Sequence, residues 1–208
     1  MIKVIVFDAD NTLYKVNAKN AYEKMFEFLS KKTGVEKALL KEKWEKILSK
    51  VKHSKNPEKR TREYSLNLLL KEFGIQTPER EIIEKALKIF WSTVAEELKP
   101  LIDKREVENL SKKYTLVIAS DEFRKPLEIK LSAVFGDWRK YFRFLITPED
   151  AREMKPSQKY YRIVLEKLNV KPKEVLVVGD SLHRDLLPAK EMGMKTATLD
   201  EIEEYVKS

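Results

Sequence analysis

Val4-Ile5-Val6-Phe7-Asp8-Ala9-Asp10-Asn11-Thr12-Leu13 is the stretch on which the fold turns. From Met1 to Phe7 a short Val/Ile/Phe run reads as a buried strand, too short for a helix, and it ends at once on two aspartates and an asparagine. Beyond it the apolar period changes. Tyr22, Met25, Phe26 and Leu29 recur at helical spacing, as do Leu40, Trp44, Ile47, Leu48 and Val51. A third helix carries Leu66, Leu69, Leu70 and Phe73 and stops at Gly74, and a fourth opens at Thr77-Pro78 and runs through Ile83, Leu87, Phe90, Trp91 and Val94 before Pro100. Trp44 and Trp91 fall in apolar stripes and are expected in the core.

After Pro100 helix and strand alternate. Thr115 to Ala119, Phe144 to Thr147, Val175 to Val178 and Thr196 to Leu199 are the strand candidates, with Lys125 to Phe135 and Ser157 to Leu168 as helices between them. With the first strand this makes an α/β fold: a Rossmann-like three-layer core on a mainly parallel five-stranded sheet, helices on both faces, interrupted by an inserted four-helix cap. Residues 1–14 and 98–208 are expected to form the core and residues 15–97 the cap.

In such sheets ligands bind beyond the carboxyl ends of the strands. The first strand delivers Asp8 and Asp10 there, the strand at Thr115 delivers Ser120, and the strand at Val175 delivers Gly179-Asp180-Ser181 with Asp185 close behind. Lys155 precedes the helix after the Phe144 strand. Only nine of the 34 acidic residues are aspartate, yet all four acids at these two strand ends are. Converging carboxylates repel one another and lose hydration unless a cation joins them. An all-oxygen set with room for water and a phosphate suits Mg2+ better than Ca2+. A carboxylate can attack phosphorus while a second acid two residues on protonates the leaving oxygen and later activates water.

Composition narrows the chemistry further. The 208 residues contain no cysteine, which excludes thiol catalysis, zinc thiolates and disulfides, and only two histidines, His53 and His183, to which no role is assigned. No apolar run approaches the roughly 20 residues of a membrane span, and Met1-Ile2-Lys3-Val4 lacks the pattern of a cleavable signal, so a cytoplasmic location is expected. Charged residues reach 37%, weighted to Lys, Arg and Glu, a bias shared with proteins of hot environments. Residues 15–62 hold fifteen Lys or Arg against six Glu, and an anionic partner is expected to favour that segment.

Taken in order, these residues resemble the four signatures of the haloacid dehalogenase superfamily of hydrolases, most of which are magnesium-dependent phosphatases. Val4 through Leu13 is similar to the first motif, Val117-Ile118-Ala119-Ser120 to the second, Lys155-Pro156 to the third, and Val177-Val178-Gly179-Asp180-Ser181 through Asp185 to the fourth. The resemblance implies Asp8 as the nucleophile that forms an aspartyl-phosphate and Asp10 as general acid and base, with its backbone carbonyl on the metal. It also implies Asp180 as a metal ligand, Asp185 on the metal directly or through water, Ser120 on a phosphoryl oxygen, and Lys155 orienting Asp8. Dehalogenases of the superfamily lack an acid at the place of Asp10, so the chain resembles the phosphatase branch. Asn11 stands where glycine is commoner, and Asp121-Glu122 where an amide side chain is common.

The expected function is a magnesium-dependent phosphatase acting on a small phosphorylated metabolite. A phosphomutase using the same intermediate, a non-catalytic phospho-aspartate module and a nucleic-acid binder are the alternatives. In the basic stretch Lys50, Lys52, Lys55, Lys59, Arg60 and Arg62, taken as a loop between the second and third cap helices, Arg60 and Arg62 are candidate contacts for a second anionic group of the substrate. No nucleic-acid motif is present and aromatic interleaving is thin, so neither nucleic acid nor membrane is expected as a partner.

Overall fold

β1 (Val4–Phe7) is the central strand of the sheet, and every one of its four side chains is buried. The computed structural model describes residues 1–75 and 79–206. β4 (Thr115–Ala119), β5 (Phe142–Ile146), β6 (Val175–Val178) and β7 (Lys195–Ala197) complete a five-stranded sheet in the order β5-β4-β1-β6-β7. All four pairings are parallel. β1 runs in register between β4 and β6, with Phe7 opposite Ile118 on one side and Val178 on the other, so the strand ends line up.

The strand pleat divides the core. Ile5, Phe7, Leu116, Ile118, Leu176 and Val178 face α5 (Lys104–Lys113) and α6 (Arg124–Phe135), whereas Val4, Val6, Val117, Val175 and Val177 face α8 (Lys159–Leu168) and α9 (Leu187–Glu191). This is the three-layer arrangement of an α/β sheet covered on both sides. Burying each of these side chains contributes about 1.5–3 kcal/mol.

Three strands begin elsewhere than the sequence expectation, β1 at Val4, β5 at Phe142 and β7 at Lys195, and two of them, β5 and β7, also end earlier for a shared reason. β5 stops at Ile146 because Thr147 begins α7 (Pro148–Ala151), where the Asp150 carboxylate accepts from the Thr147 N–H at 2.9 Å. β7 stops at Ala197 because Thr198 begins the 3-10 turn Leu199–Glu204, where Glu201 accepts from the Thr198 N–H at 2.8 Å. A threonine with an acid three residues on favours a capping box over strand continuation.

The chain divides into two compact units, Met1–Val16 with the segment from Leu98 onward, and Asn17–Glu97. Lys15 stays with the sheet unit through a short antiparallel pair absent from the sequence reading, β2 (Tyr14–Lys15) with β3 (Lys99–Pro100). The second unit holds α1 (Lys19–Thr33), α2 (Lys37–Val51), α3 (Arg62–Glu72) and α4 (Glu79–Glu96). The expected opening of the fourth helix at Thr77-Pro78 lies outside the described residues. Tyr22, Phe26, Trp44, Phe90 and Trp91 form one connected set of ring contacts inside this unit, which places both tryptophans in its core.

Candidate active site

The carboxyl ends of β1 and β6, and of β4 and β5, are tied pairwise one residue beyond the first strand of each pair. Asp8 N–H donates to Val178 O at 2.8 Å, and Ser120 N–H to Ile146 O at 2.9 Å. The chain then turns sharply. Leu13 N–H returns to Ala9 O and Asn11 N–H to Tyr14 O, with Asn11 at φ +64°. Asparagine enters this left-handed region more readily than most residues, which accounts for its tolerance where glycine would be the freer choice.

Lys155 brings the strand ends into one electrostatic unit. Its side chain is 3% exposed, and Nζ lies 2.6 Å from Asp8 Oδ1 and 2.6 Å from Asp185 Oδ1. The second Asp185 oxygen accepts from Ser181 N–H at 3.2 Å, and Tyr161 Oη donates to the Asp185 carbonyl at 2.9 Å. Thr12 Oγ1 stands 3.4 Å from Asp8 Oδ2. Burial pushes the Asp8 carboxyl up to about 6, Lys155 opposes this, and the Asp185 charge adds to it. Burial alone would lower the Lys155 ammonium, but Asp8 and Asp185 outweigh it and hold it above its ordinary range. Asp180, more open to solvent, is raised by partial burial and then by Asp185.

Asp8, Asp180 and Asp185 each offer one oxygen, and the three atoms lie within 4.8 Å of one another. An all-oxygen donor set of this charge fits a hard divalent cation. The Asp10 carboxylate stands apart from this trio. Both its oxygens accept from Lys130 Nζ at 2.6 Å.

Lys130 is the polar residue that the sequence reading missed. It comes from α6, is 1% exposed, and also reaches Glu122 Oε2 at 3.1 Å. The signal was present in the helical period, since Lys130 sits three residues after Leu127 and one before Leu131, on the buried stripe. Asp121 and Glu122 are likewise engaged. Asp121 Oδ1 accepts from Lys155 N–H at 2.7 Å and from Tyr160 Oη at 3.1 Å, and its other oxygen pairs with Arg184. Ser120 is buried, and its Oγ accepts from Glu122 N–H at 3.1 Å.

Asp8, Asp10, Asp180, Asp185, Ser120 and Lys155 thus all lie in the sheet unit. Arg60 and Arg62 lie in the helical unit and are not both in a loop. Lys50 lies in the last turn of α2, Arg60 closes a 3-10 turn (Pro57–Arg60) capped by Asn56, and Arg62 opens α3. The Arg62 guanidinium carbon is 4.6 Å from the ring centres of both Phe90 and Trp91 and 5.9 Å from Tyr22, a cation held on aromatic faces. His53 and His183 are exposed.

Comparison with known proteins gives a consistent picture. A model of the haloacid dehalogenase-like hydrolases matches residues 2–193. A relative named glyceraldehyde 3-phosphate phosphatase, from Methanopyrus kandleri, is 27% identical over 96% of this chain and 84% of its own. A HAD phosphatase of Thermococcus onnurineus superposes with a TM-score of 0.60 at 26% identity, covering 94% of this chain and 85% of that one. The magnesium-bound HAD-hydrolase YfnB of Bacillus subtilis superposes with a TM-score of 0.65 over 100% of this chain and 92% of its own, and at 20% identity that likeness concerns the fold.

Proposed function

The chain belongs to the haloacid dehalogenase-like hydrolase family, and on that premise we propose that it is a magnesium-dependent phosphatase, hydrolysing a small phosphomonoester through an aspartyl-phosphate on Asp8. The observation that carries the reading is the Asp8–Lys155–Asp185 unit with a second carboxylate, Asp10, two residues from the nucleophile. Asp8, Asp180 and Asp185, with the backbone carbonyl of Asp10, would hold magnesium, which would supply positive charge to the phosphoryl oxygens.

The protein residues divide the remaining work. An Asp8 oxygen attacks phosphorus, the P–O bond to the alcohol breaks, and the departing oxygen takes the proton of Asp10. Water then attacks the phosphorus and gives its proton to Asp10. The Asp8–phosphorus bond breaks, returning the carboxylate and inorganic phosphate. Lys155 keeps Asp8 in place and neutralises charge, and the Ser120 hydroxyl donates to a phosphoryl oxygen.

A triose phosphate is the first substrate to try, on the name of the Methanopyrus relative. Arg60 and Arg62 stay as proposed contacts for a second anionic group on sequence pattern alone, and Arg60→Ala raising KM without changing kcat is the result that supports this. A phosphomutase is the second reading. A cytoplasmic, heat-adapted setting belongs to the same proposal, on composition.

The test is phosphate release from 4-nitrophenyl phosphate and from a panel of phosphorylated metabolites, with and without magnesium, for wild type and Asp8→Asn. Metal-dependent turnover lost in Asp8→Asn is the expected result. Turnover retained by Asp8→Asn overturns the covalent route.

A further inference from the structure

Lys130 is an ammonium placed where the fold calls for an apolar side chain. Leu127, Leu131 and Phe135 share its face of α6 and are buried in the sheet core. Its Nζ is 5.9 Å from the centre of the buried Tyr14 ring and is turned to two carboxylates, Asp10 at 2.6 Å to both oxygens and Glu122 at 3.1 Å. A buried ion pair is weak support for stability, because a well-packed apolar residue of similar volume often serves as well. What Lys130 supplies that an apolar residue cannot is a fixed orientation for the Asp10 carboxyl, 120 positions away in the chain.

We propose that Lys130 is the positioning residue of the acid: it holds one oxygen of Asp10 while the other turns to the leaving-group oxygen, and Glu122 gives the ammonium a second carboxylate partner. The proposal rests on Asp10 being the proton donor described above. In that step the proton moves from Asp10 to the ester oxygen as the P–O bond breaks and the Asp8–phosphorus bond forms. Lys130 keeps all its protons throughout. Its importance therefore scales with how much the leaving group needs a proton, which separates it from a residue that only supports the fold.

The experiment is kcat/KM for a series of aryl phosphates, from 4-nitrophenyl phosphate to unsubstituted phenyl phosphate, which differ in leaving-group basicity and little in size. This parameter covers the steps up to release of the phenol and omits dephosphorylation. For Lys130→Met the expected loss is about 100-fold on phenyl phosphate, the low end of what general acid catalysis contributes, and under about tenfold on the nitrophenyl ester. Lys130→Arg, which keeps the charge and displaces it, is expected to lose in the same order and by less, and it serves should Lys130→Met fail to fold.

Equal losses across the series in the folded variant, or no loss, overturn the role of Lys130. Asp10→Asn in the same series keeps the two claims apart. If Asp10→Asn discriminates among leaving groups and the Lys130 variants do not, only the Lys130 proposal falls. If Asp10→Asn shows no discrimination, the acid assignment fails and the Lys130 role goes with it.

Discussion

Gly179 and Asp185 approach so closely that a Cβ on the glycine would lie 2.6 Å from the aspartate Cβ and 2.9 Å from its carboxyl carbon. The turn after β6 is therefore closed against any side chain, and the position of Asp185 depends on that closure. Gly179→Ala forces the carboxylate away from Lys155 and Ser181. We expect a loss of roughly 1–3 kcal/mol from overpacking, and we expect magnesium to raise the melting temperature of the wild type but not of this variant. Melting with and without magnesium checks this, and an unchanged magnesium response would count against the trio as the metal site.

Lys155 answers to two carboxylates at once. Lys155→Met leaves Asp8 and Asp185 facing each other in a buried place, and breaking such a pair from one side costs about 3–5 kcal/mol. Urea denaturation in metal-free buffer reads the loss directly. Millimolar magnesium is expected to restore part of it, since a cation on the same oxygens replaces the missing charge.

The Asp8 carboxyl sets a pH dependence. Its value in the folded chain is raised from 3.8 to about 6, so the unfolded chain ionises first on raising the pH. The group favours folding fully below 3.8 and loses that contribution as the pH climbs through about 6. Asp8→Asn is accordingly expected to be more stable than wild type at pH 7.5 without metal. At roughly 1.4 kcal/mol for each pH unit between the two values, the upper bound is about 3 kcal/mol. The difference should close as the pH falls to 4. A constant difference across that range would contradict it.

Asn11 carries a backbone requirement. At φ +64°, Asn11→Gly should be near neutral in stability, whereas Asn11→Val should cost about 1–2 kcal/mol for placing a branched residue in the left-handed region. Chemical denaturation of the two variants side by side measures the contrast.

The sheet was legible because its strands announce themselves. β1, β4 and β6 are mostly Val, Ile, Leu and Phe; β4 and β6 keep the bounds read from the sequence, while β1 ends at Phe7 as read but begins at Val4 and not at Met1. The acids after them were legible for the same reason, since a strand end fixes where the next side chain stands. What escaped was whatever depends on a partner far along the chain. A lysine in a helix reads as a solvent residue until the Asp10 carboxylate opposite it is in view. The β2–β3 pair joins two-residue segments at Tyr14 and Lys99, far too short to carry a pattern. Arg62 read as a candidate for an anion, and only the aromatic faces of Phe90 and Trp91 reveal its contacts. Thr147 and Thr198 looked like strand residues because their capping acids lie three positions on, where local propensity does not look.

The small β2–β3 pairing bears on how such a protein can change over time. Lys15 and Lys99 sit side by side in register, so the chain leaves the sheet unit and returns to it at neighbouring points. The eighty-odd residues between them amount to a long hairpin loop. Because closing a longer loop adds only about 0.6 kcal/mol for each doubling of its length, the sheet is nearly indifferent to what is spliced there. Inserts of other lengths and shapes can be exchanged at this junction while the strand ends that carry the aspartates stay in register, which makes the sheet unit and the helical unit separable units of inheritance.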